Sequence, residues 1–326
     1  MKTNSYSGTI KYLNENKLEF IELDCPSKKV ITFIKNLYSD EPFPIFEHNH
    51  YHILSYLHFQ SKILGVNFNN GSTILVIKDN KLIFFTPKSK DIKKLVSEFI
   101  SLSSNLTLSE VCILNLSKYQ LTGWQNNIQE LNSNIIPRSK EEVVYDVTKL
   151  TNLSGKNFAK LRNTKNKLLI KRKLDFIDID QGNIEKALGV VDLWDKIQGH
   201  KYKNKKVDKE KFVINTLSKF TEGDKNIKVQ LVLSGNKALG VIIYFLIPNW
   251  NEWGEIYMAK GINRAPEGGM HGVSDALYLK IFEEFNNKGV LWINDGELGS
   301  EPGTREHKMR FQPVNLLQSF DIQIKL

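Results

Sequence analysis

Short apolar runs broken by turn residues dominate the first half of the chain. Ile63–Phe68, Ser72–Lys78 and Lys81–Pro87 read as three successive strands, with Asn69-Asn70-Gly71 and Asp79-Asn80 as the tight turns between them. The period then changes. Ile92, Leu95, Val96, Phe99 and Ile100 recur at helical spacing over Asp91–Ser101, and Glu110–Leu116 is a strand again. Upstream, Ile53, Leu54 and Leu57 share one face of a helix predicted over Phe46–Phe59.

After a connector over Asn132–Glu142 the theme returns at larger scale. Helices are predicted over Asn157–Arg172, Asn183–Ile197, Lys209–Phe220 and Gly272–Asn286. Asp175–Ile179, Ile227–Leu233, Ala238–Ile247, Trp253–Ala259 and Val290–Asn294 read as strands, the middle three as an antiparallel run. Each half is therefore helix, antiparallel strands, helix, strand. This predicts an α/β protein of the α+β type, with mixed, largely antiparallel sheets and one unit duplicated: a first domain over 1–140 and a second over 141–326.

At 326 residues, 41% hydrophobic and 25% charged, the chain can fill two packed cores and is not a disordered one. The longest apolar run, Ala238–Pro248, is far short of the roughly 18 residues of a membrane span. The first residues carry no apolar signal segment, and the two cysteines, Cys25 and Cys112, have no CxxC partner. A soluble cytoplasmic protein with reduced thiols is expected.

The formal charge of +9 favours an anionic partner such as RNA, a nucleotide cofactor or a lipid surface. Much of it is concentrated. Lys156, Lys160, Arg162, Lys165, Lys167, Lys171, Arg172 and Lys173 fall in one stretch without an acidic residue. Like charges one helical turn apart repel, so the clustering suits a row of phosphates better than a purely structural helix. A second anion candidate is the loop from Ala259 through Gly268, Gly269 and Gly272, which leads from a strand into a helix N-terminus. Acetyltransferases hold the coenzyme A pyrophosphate in this way, although Glu267 stands where their first glycine belongs.

The block from Ile293 to Pro313 packs carboxylates, cations and glycines behind a strand, where α/β proteins place their sites. Such a mixture can hold a zwitterionic amino acid. His48, His50, His52 and His58, with Glu47, lack a third ligand at fixed spacing, so no metal is predicted. Trp194, Trp250, Trp253 and Trp292 are candidate pocket walls, with Trp194 and Trp292 placed for the core.

From Asn294 onward, Gly303, Arg305, Lys308, Phe311 and Pro313 resemble the signature of the phosphatidylglycerol lysyltransferase C-terminal domain family, with Glu297 as its acidic member. Tyr145-Asp146-Val147, Leu153, Gly155-Lys156 and Lys160-Leu161-Arg162-Asn163 resemble that family's opening motif. The resemblance implies tandem acetyltransferase-like (GNAT) domains and aminoacyl transfer from aminoacyl-tRNA without metal or organic cofactor. Lipid-modifying members carry a membrane flippase ahead of this region, and its absence here points to an amine, hydroxyl, peptide or lipid-headgroup acceptor rather than to a phospholipid alone.

In that frame the strand Tyr257–Lys260 supplies a backbone N–H to the oxyanion, and Tyr257, Glu297 and Asp295 are the catalytic candidates. Arg305, Lys308, Lys260, Asn294 and Gly303 would hold the substrate. Lys156, Lys160, Arg162, Lys165, Gly268 and Gly269 would take tRNA phosphates. An acyl-coenzyme A N-acyltransferase and a non-catalytic RNA-binding protein are the alternatives, and a peripheral contact with anionic lipid is a third.

Overall fold

The computed structural model describes all residues except 1–4, 26, 40, 42, 43, 46, 47, 60, 79, 80, 130, 139, 140, 200–206, 222, 223, 248, 249, 265–267 and 300. It divides into two units, one of Met1–Glu141 with Leu317–Leu326 and one of Glu142–Leu316.

In the first unit the helices are α1 (Ser5–Glu15), α2 (Lys28–Leu37), α3 (His50–Leu54), α4 (Ile92–Asn105) and α5 (Lys118–Ile128). Its strands are β1 (Glu19–Glu22), β2 (Lys62–Phe68), β3 (Gly71–Lys78), β4 (Lys81–Ser89), β5 (Glu110–Ser117) and β6 (Ser133–Pro137). The second unit has strands β7 (Glu142–Asp146), β8 (Asp175–Asp178), β9 (Ile227–Ser234), β10 (Lys237–Leu246), β11 (Trp253–Gly261), β12 (Trp292–Glu297) and β13 (Asn315–Leu317). Its helices are α6 (Val147–Asn152), α7 (Ala159–Thr164), α8 (Ile184–Gln198), α9 (Val207–Leu217), α10 (Val273–Asn287) and α11 (Pro302–Arg310). The last strand, β14 (Ser319–Lys325), returns to the first sheet.

The two sheets share one plan. The first runs β1-β2-β3-β4-β5-β14-β6 and the second, from its opposite edge, β8-β9-β10-β11-β12-β7-β13. In each, three antiparallel strands lead through a helix (α4 or α10) to a parallel neighbour, β5 beside β4 and β12 beside β11. In each, the next strand inward from the edge comes from elsewhere in the chain. β14 pairs antiparallel with β5 and β6, so residues 317–326 belong with the first unit and not with a second domain running to 326. The reason is visible in the pairing: Ile322 and Ile324 are buried in the first core, where β5 and β6 would otherwise lack a partner between them.

Apolar alternation fixes the layers. In the second unit Ile242, Tyr244, Ile256 and Ile293 face α10, whose Ala276, Leu277, Ile281, Phe282 and Phe285 are buried against them. The opposite face of β10 and β11 packs on α8. In the first unit Phe84 stacks on Phe99 of α4 at 3.9 Å between ring centroids.

Three expected helices are divided. Phe46–Phe59 contains α3 and then a 3₁₀ turn over Ser55–Phe59, with Phe46 outside the described residues. Lys209–Phe220 ends in a 3₁₀ turn over Ser218–Phe220. Asn157–Arg172 is a 3₁₀ turn (Lys156–Phe158), α7, and a π-helix over Lys165–Lys171. π-turns within helices are rare and concentrate at functional sites.

Candidate active site

β11 and β12 run side by side for only three residue pairs, Trp253 with Trp292, Gly254 with Ile293 and Glu255 with Asn294. Beyond Glu255, β11 continues to Gly261 with β10 on its other side and, among the described residues, no strand paired towards β12. At that point the register against β10 slips by one: Tyr244 opposes Ile256 and Ile243 opposes Met258, so Tyr257 is a β-bulge. A bulge next to a parting strand pair re-aims backbone groups that would otherwise belong to the ladder.

A second bulge sorts the two neighbouring carboxylates. Against β7, Asn294 opposes Val144 and Glu297 opposes Glu142, three residues matched by two. The extra residue lies at Asp295-Gly296, where Gly296 has φ 63°. Alternation is broken there, so Asn294 and Glu297 share one face and Asp295 points to the other.

On its face Asp295 is sealed. It is 4% exposed and accepts hydrogen bonds from the Tyr278 hydroxyl (3.0 and 3.1 Å) and the Tyr145 hydroxyl (3.2 Å). The Lys308 ammonium lies 3.3 Å from its Oδ2 and also donates to its backbone carbonyl. Tyr145 Oη stands 3.1 Å from the Lys308 carbonyl, and Phe311 stacks on Tyr278 at 5.0 Å. Burial pushes the Asp295 carboxyl above its ordinary range, partly offset by Lys308, Tyr278 and His307. Burial likewise raises both tyrosines well above theirs, and the Asp295 charge adds to it. Beside this cluster Asp275, at the start of α10, takes Arg310 Nη1 at 2.9 Å and His307 Nδ1 at 3.3 Å. Burial would raise the Asp275 carboxyl, but His307 and Arg310 together hold it below the usual range. These contacts fasten α11 to α10 and β12. They place Asp295 and Lys308 away from solvent, in the role of anchors for the C-terminal block.

The other face carries a second set of mostly buried polar groups, of which Glu297 reaches solvent. Glu142 and Asn294 are buried and joined by a 2.7 Å hydrogen bond from Asn294 Nδ2. Glu255 is buried beside Asn294 in register, and Glu297 is half-buried at the end of β12. Three residues past the bulge, Lys260 sits with its ammonium 3.2 Å from the centroid of the Trp194 ring and 3.1 Å from Glu210 Oε1. Tyr257 lies 6.0 Å from Phe245, ring to ring. Glu210 thus accompanies the Lys260 ammonium, whereas Glu142, Glu255 and Glu297 are placed by strand register around Asn294. Glu142, Glu210 and Glu255 were not picked out by sequence reasoning. The available signal was weak: a glutamate in the apolar strand WGEIYMAKG, and one opening the strand EVVYD.

The remaining candidates scatter. Gly303 and Arg305 are exposed on α11. Lys156 and Lys160 are exposed, whereas Lys165 pairs with Glu283 of α10 at 2.7 Å. The Arg162 guanidinium donates to the carbonyls of Leu153 and Gly155, holding the turn after α6. In the glycine loop, Gly269 N–H donates to the Arg264 carbonyl and Met270 N–H to the Ile262 carbonyl. A Cβ on Gly269 would lie 2.2 Å from the Ile262 oxygen, so that glycine serves the fold-back of the loop. At the start of α10, Val273 N–H bonds the Met270 carbonyl and Ser274 N–H the Asn263 side chain. Gly268 has φ 84° and lies against Lys237. Ala265, Pro266 and Glu267 lie outside the described residues.

Trp194 is the platform under Lys260, Trp253 and Trp292 are half-buried neighbours at 6.4 Å, and Trp250 is half-buried in the turn after β10. In the first unit His48 is buried and stacks on Tyr38 at 4.1 Å; burial lowers its pKa to about 3. His52 is buried edge-on to Tyr56. Among the described residues no group of His, Cys, Asp and Glu is placed to hold a metal; Glu47 and the His50 and His58 side chains are not among them. Cys25 is exposed and Cys112 buried, with its thiol pushed up to about 11 by burial and by Glu110.

A duplicated sheet with parallel strands that part beside a bulge defines the acetyltransferase-like fold, here in tandem. The chain belongs to the family described as phosphatidylglycerol lysyltransferase, C-terminal, which it matches over residues 44–320. No curated protein matches the sequence. Solved structures agree on the fold. A conserved protein of unknown function from Bacteroides thetaiotaomicron has 14% identity and a TM-score of 0.68, covering 100% of this chain and 99% of its own. L-PGS from Bacillus licheniformis has 14% identity and a TM-score of 0.59 over 92% of each chain. FemX has 9% identity and a TM-score of 0.64, covering 94% of this chain and 97% of its own. Family and fold are those of acyl- and aminoacyl-transferases. Among the described residues no helix is long and apolar enough to cross a membrane.

Proposed function

We propose that the second unit transfers an aminoacyl group from aminoacyl-tRNA to an amine or hydroxyl acceptor. The observation that carries this reading is the parting of β11 from β12 after Glu255 and Asn294, with the Tyr257 bulge immediately beyond. The acceptor nitrogen or oxygen attacks the ester carbonyl, and the backbone edge of β11 at the bulge offers N–H donors to the oxyanion. Glu297, half-buried on the polar face, takes the proton from the nucleophile and returns it to the ribose oxygen as the ester C–O bond breaks. Lys156 and Lys160, exposed at the start of the basic stretch, show among the described residues no internal pairing of the kind that occupies Lys165 and Arg162, and they would meet tRNA phosphates.

Coenzyme A is the weaker donor. Its pyrophosphate needs backbone amides at the loop and at the start of α10, and those of Gly269, Met270, Val273 and Ser274 are already bonded within the protein. The test is transfer of radiolabel from total aminoacyl-tRNA to an extract of the source cells. Label in a new product supports the reading and names the amino acid. No transfer and no tRNA binding at low salt, with acylation from a coenzyme A thioester, would overturn it.

A further inference from the structure

The first unit repeats the arrangement of the second with one chemical change. β4 and β5 pair in parallel only as far as Phe85 with Leu114, and β4 then bulges: Ile74 opposes Phe85 and Ser72 opposes Lys88, two residues matched by three. Counting from the last parallel pair, Pro87 occupies the place that Tyr257 holds in the second unit. Proline has no N–H, so this bulge cannot give the oxyanion donor at that position. The turn into α4 is also different. Only Lys90 and Asp91 separate β4 from α4, without a glycine, and the Asp91 carboxylate caps the helix by accepting Lys94 N–H at 3.2 Å. A carboxylate in that position repels a phosphate.

Beside the bulge is a solvent-open groove of about 540 Å³. That is the size of a small-molecule site. Trp124 of α5, with Leu37 and Ile92, gives it apolar walls, Tyr119 of α5 stands exposed at its mouth, and Glu41 and Lys88 supply one charge of each sign. Both charged groups are held in place. Glu41 Oε2 accepts from the Ser117 hydroxyl at 3.2 Å, and the Lys88 ammonium donates to Ser39 Oγ at 2.8 Å and the Asn36 carbonyl at 3.2 Å.

We propose that the first unit is a binding copy of the fold, and that its groove between β4, α4 and α5 takes a small zwitterion with an apolar or aromatic body, of the free amino acid class. Glu41 receives the ammonium, Lys88 the carboxylate, and Trp124 and Tyr119 the body. Nothing in this assignment depends on the chemistry of the second unit.

The test uses the full chain, isotopically labelled, and three probes that differ in one charge: phenylalanine, phenethylamine and 3-phenylpropionate, with coenzyme A as the phosphorylated control. Phenylalanine should shift the amide resonances of Tyr119, Gly123 and Trp124, and bind about tenfold more tightly than either singly charged analogue. Glu41→Gln should weaken phenylalanine and phenethylamine about tenfold and leave phenylpropionate unchanged; Lys88→Gln should do the converse. Gly123→Leu should abolish all three shifts by filling the groove. Gly123→Ala, whose added Cβ would sit 3.7 Å from Ile92 Cδ1, in ordinary contact, reports whether substitution at that site is itself tolerated. Equal binding of the three probes, shifts produced by coenzyme A at the same amides, or no shift with any probe at about 10 mM would each overturn the proposal.

Discussion

Replacing Asp295 by asparagine separates an anchoring carboxylate from a catalytic one. The substitution preserves shape and removes the charge that faces Lys308 Nζ at 3.3 Å. Lys308 is 9% exposed, so its ammonium is left with the Asp295 backbone carbonyl and no counter-charge at that contact. Stranding one member of a buried pair typically costs about 3–5 kcal/mol. For a domain the size of the second unit this corresponds to a drop in Tm of roughly 6–20 °C. Urea unfolding followed by tryptophan fluorescence reads the correct unit, because Trp194, Trp250, Trp253 and Trp292 lie in it and Trp124 alone in the other. Lys308→Met in the same chain should recover most of the loss, a coupling above ~1.5 kcal/mol. A variant within about 1 kcal/mol of the parent that nonetheless loses transfer would refute the reasoning and return Asp295 to the chemistry.

Glu297→Gln should leave stability nearly unchanged and reduce the transfer rate by about 10²–10⁴-fold, measured as single-turnover deacylation of aminoacyl-tRNA in the presence of acceptor. Tyr257→Pro should cost about 10²–10³-fold in the same assay while Tyr257→Phe costs little, since the backbone donor and not the ring is at stake; Pro87 shows that this bulge accommodates proline. In the first unit, burial depresses the His48 pKa from 6.5 to about 3, so the unfolded chain takes up a proton before the folded one does. Its unfolding free energy should fall by up to about 1.4 kcal/mol per pH unit as pH drops from about 6.5 towards 3, and His48→Phe should flatten that slope in acid denaturation. Lys156→Glu with Lys160→Glu should weaken tRNA binding and reduce the slope of log affinity against log salt by about 2, read by filter binding across a salt series.

Much of the fold was legible because apolar periodicity is a local property. The strands that became β2, β3, β4, β5, β9, β10 and β11, and the helices α4, α8 and α10, each bury a face that the pattern marks. Elements that owe their place to distant partners were not legible. β14 is a strand because β5 and β6 flank it, and no residue in Ser319–Lys325 announces a partner some two hundred residues upstream. The basic stretch gave a helical period but not its π-turn, since a one-residue excess in a helix leaves the spacing of Leu161, Leu168 and Leu169 almost unchanged.

The C-terminal block was legible as a group of candidate residues and illegible in its geometry, and the bulges are the reason. Asp295 and Glu297 differ by two positions, so plain alternation would put them on the same face and make them interchangeable as bases. The extra residue at Asp295-Gly296 breaks that equivalence: it turns Asp295 into the tyrosine-lined core and keeps Glu297 on the face of Asn294 and Glu142. Gly296 is what permits it, since its φ of 63° is strained for a side-chain-bearing residue. A glycine between two carboxylates is a faint signal in a sequence. It acquires meaning only from the register against β7, where three residues of one strand must be matched by two of the other. The same holds for Tyr257 and Pro87: the presence or absence of one N–H distinguishes the two clefts only once both are known to sit on a bulge beside a parting pair of strands.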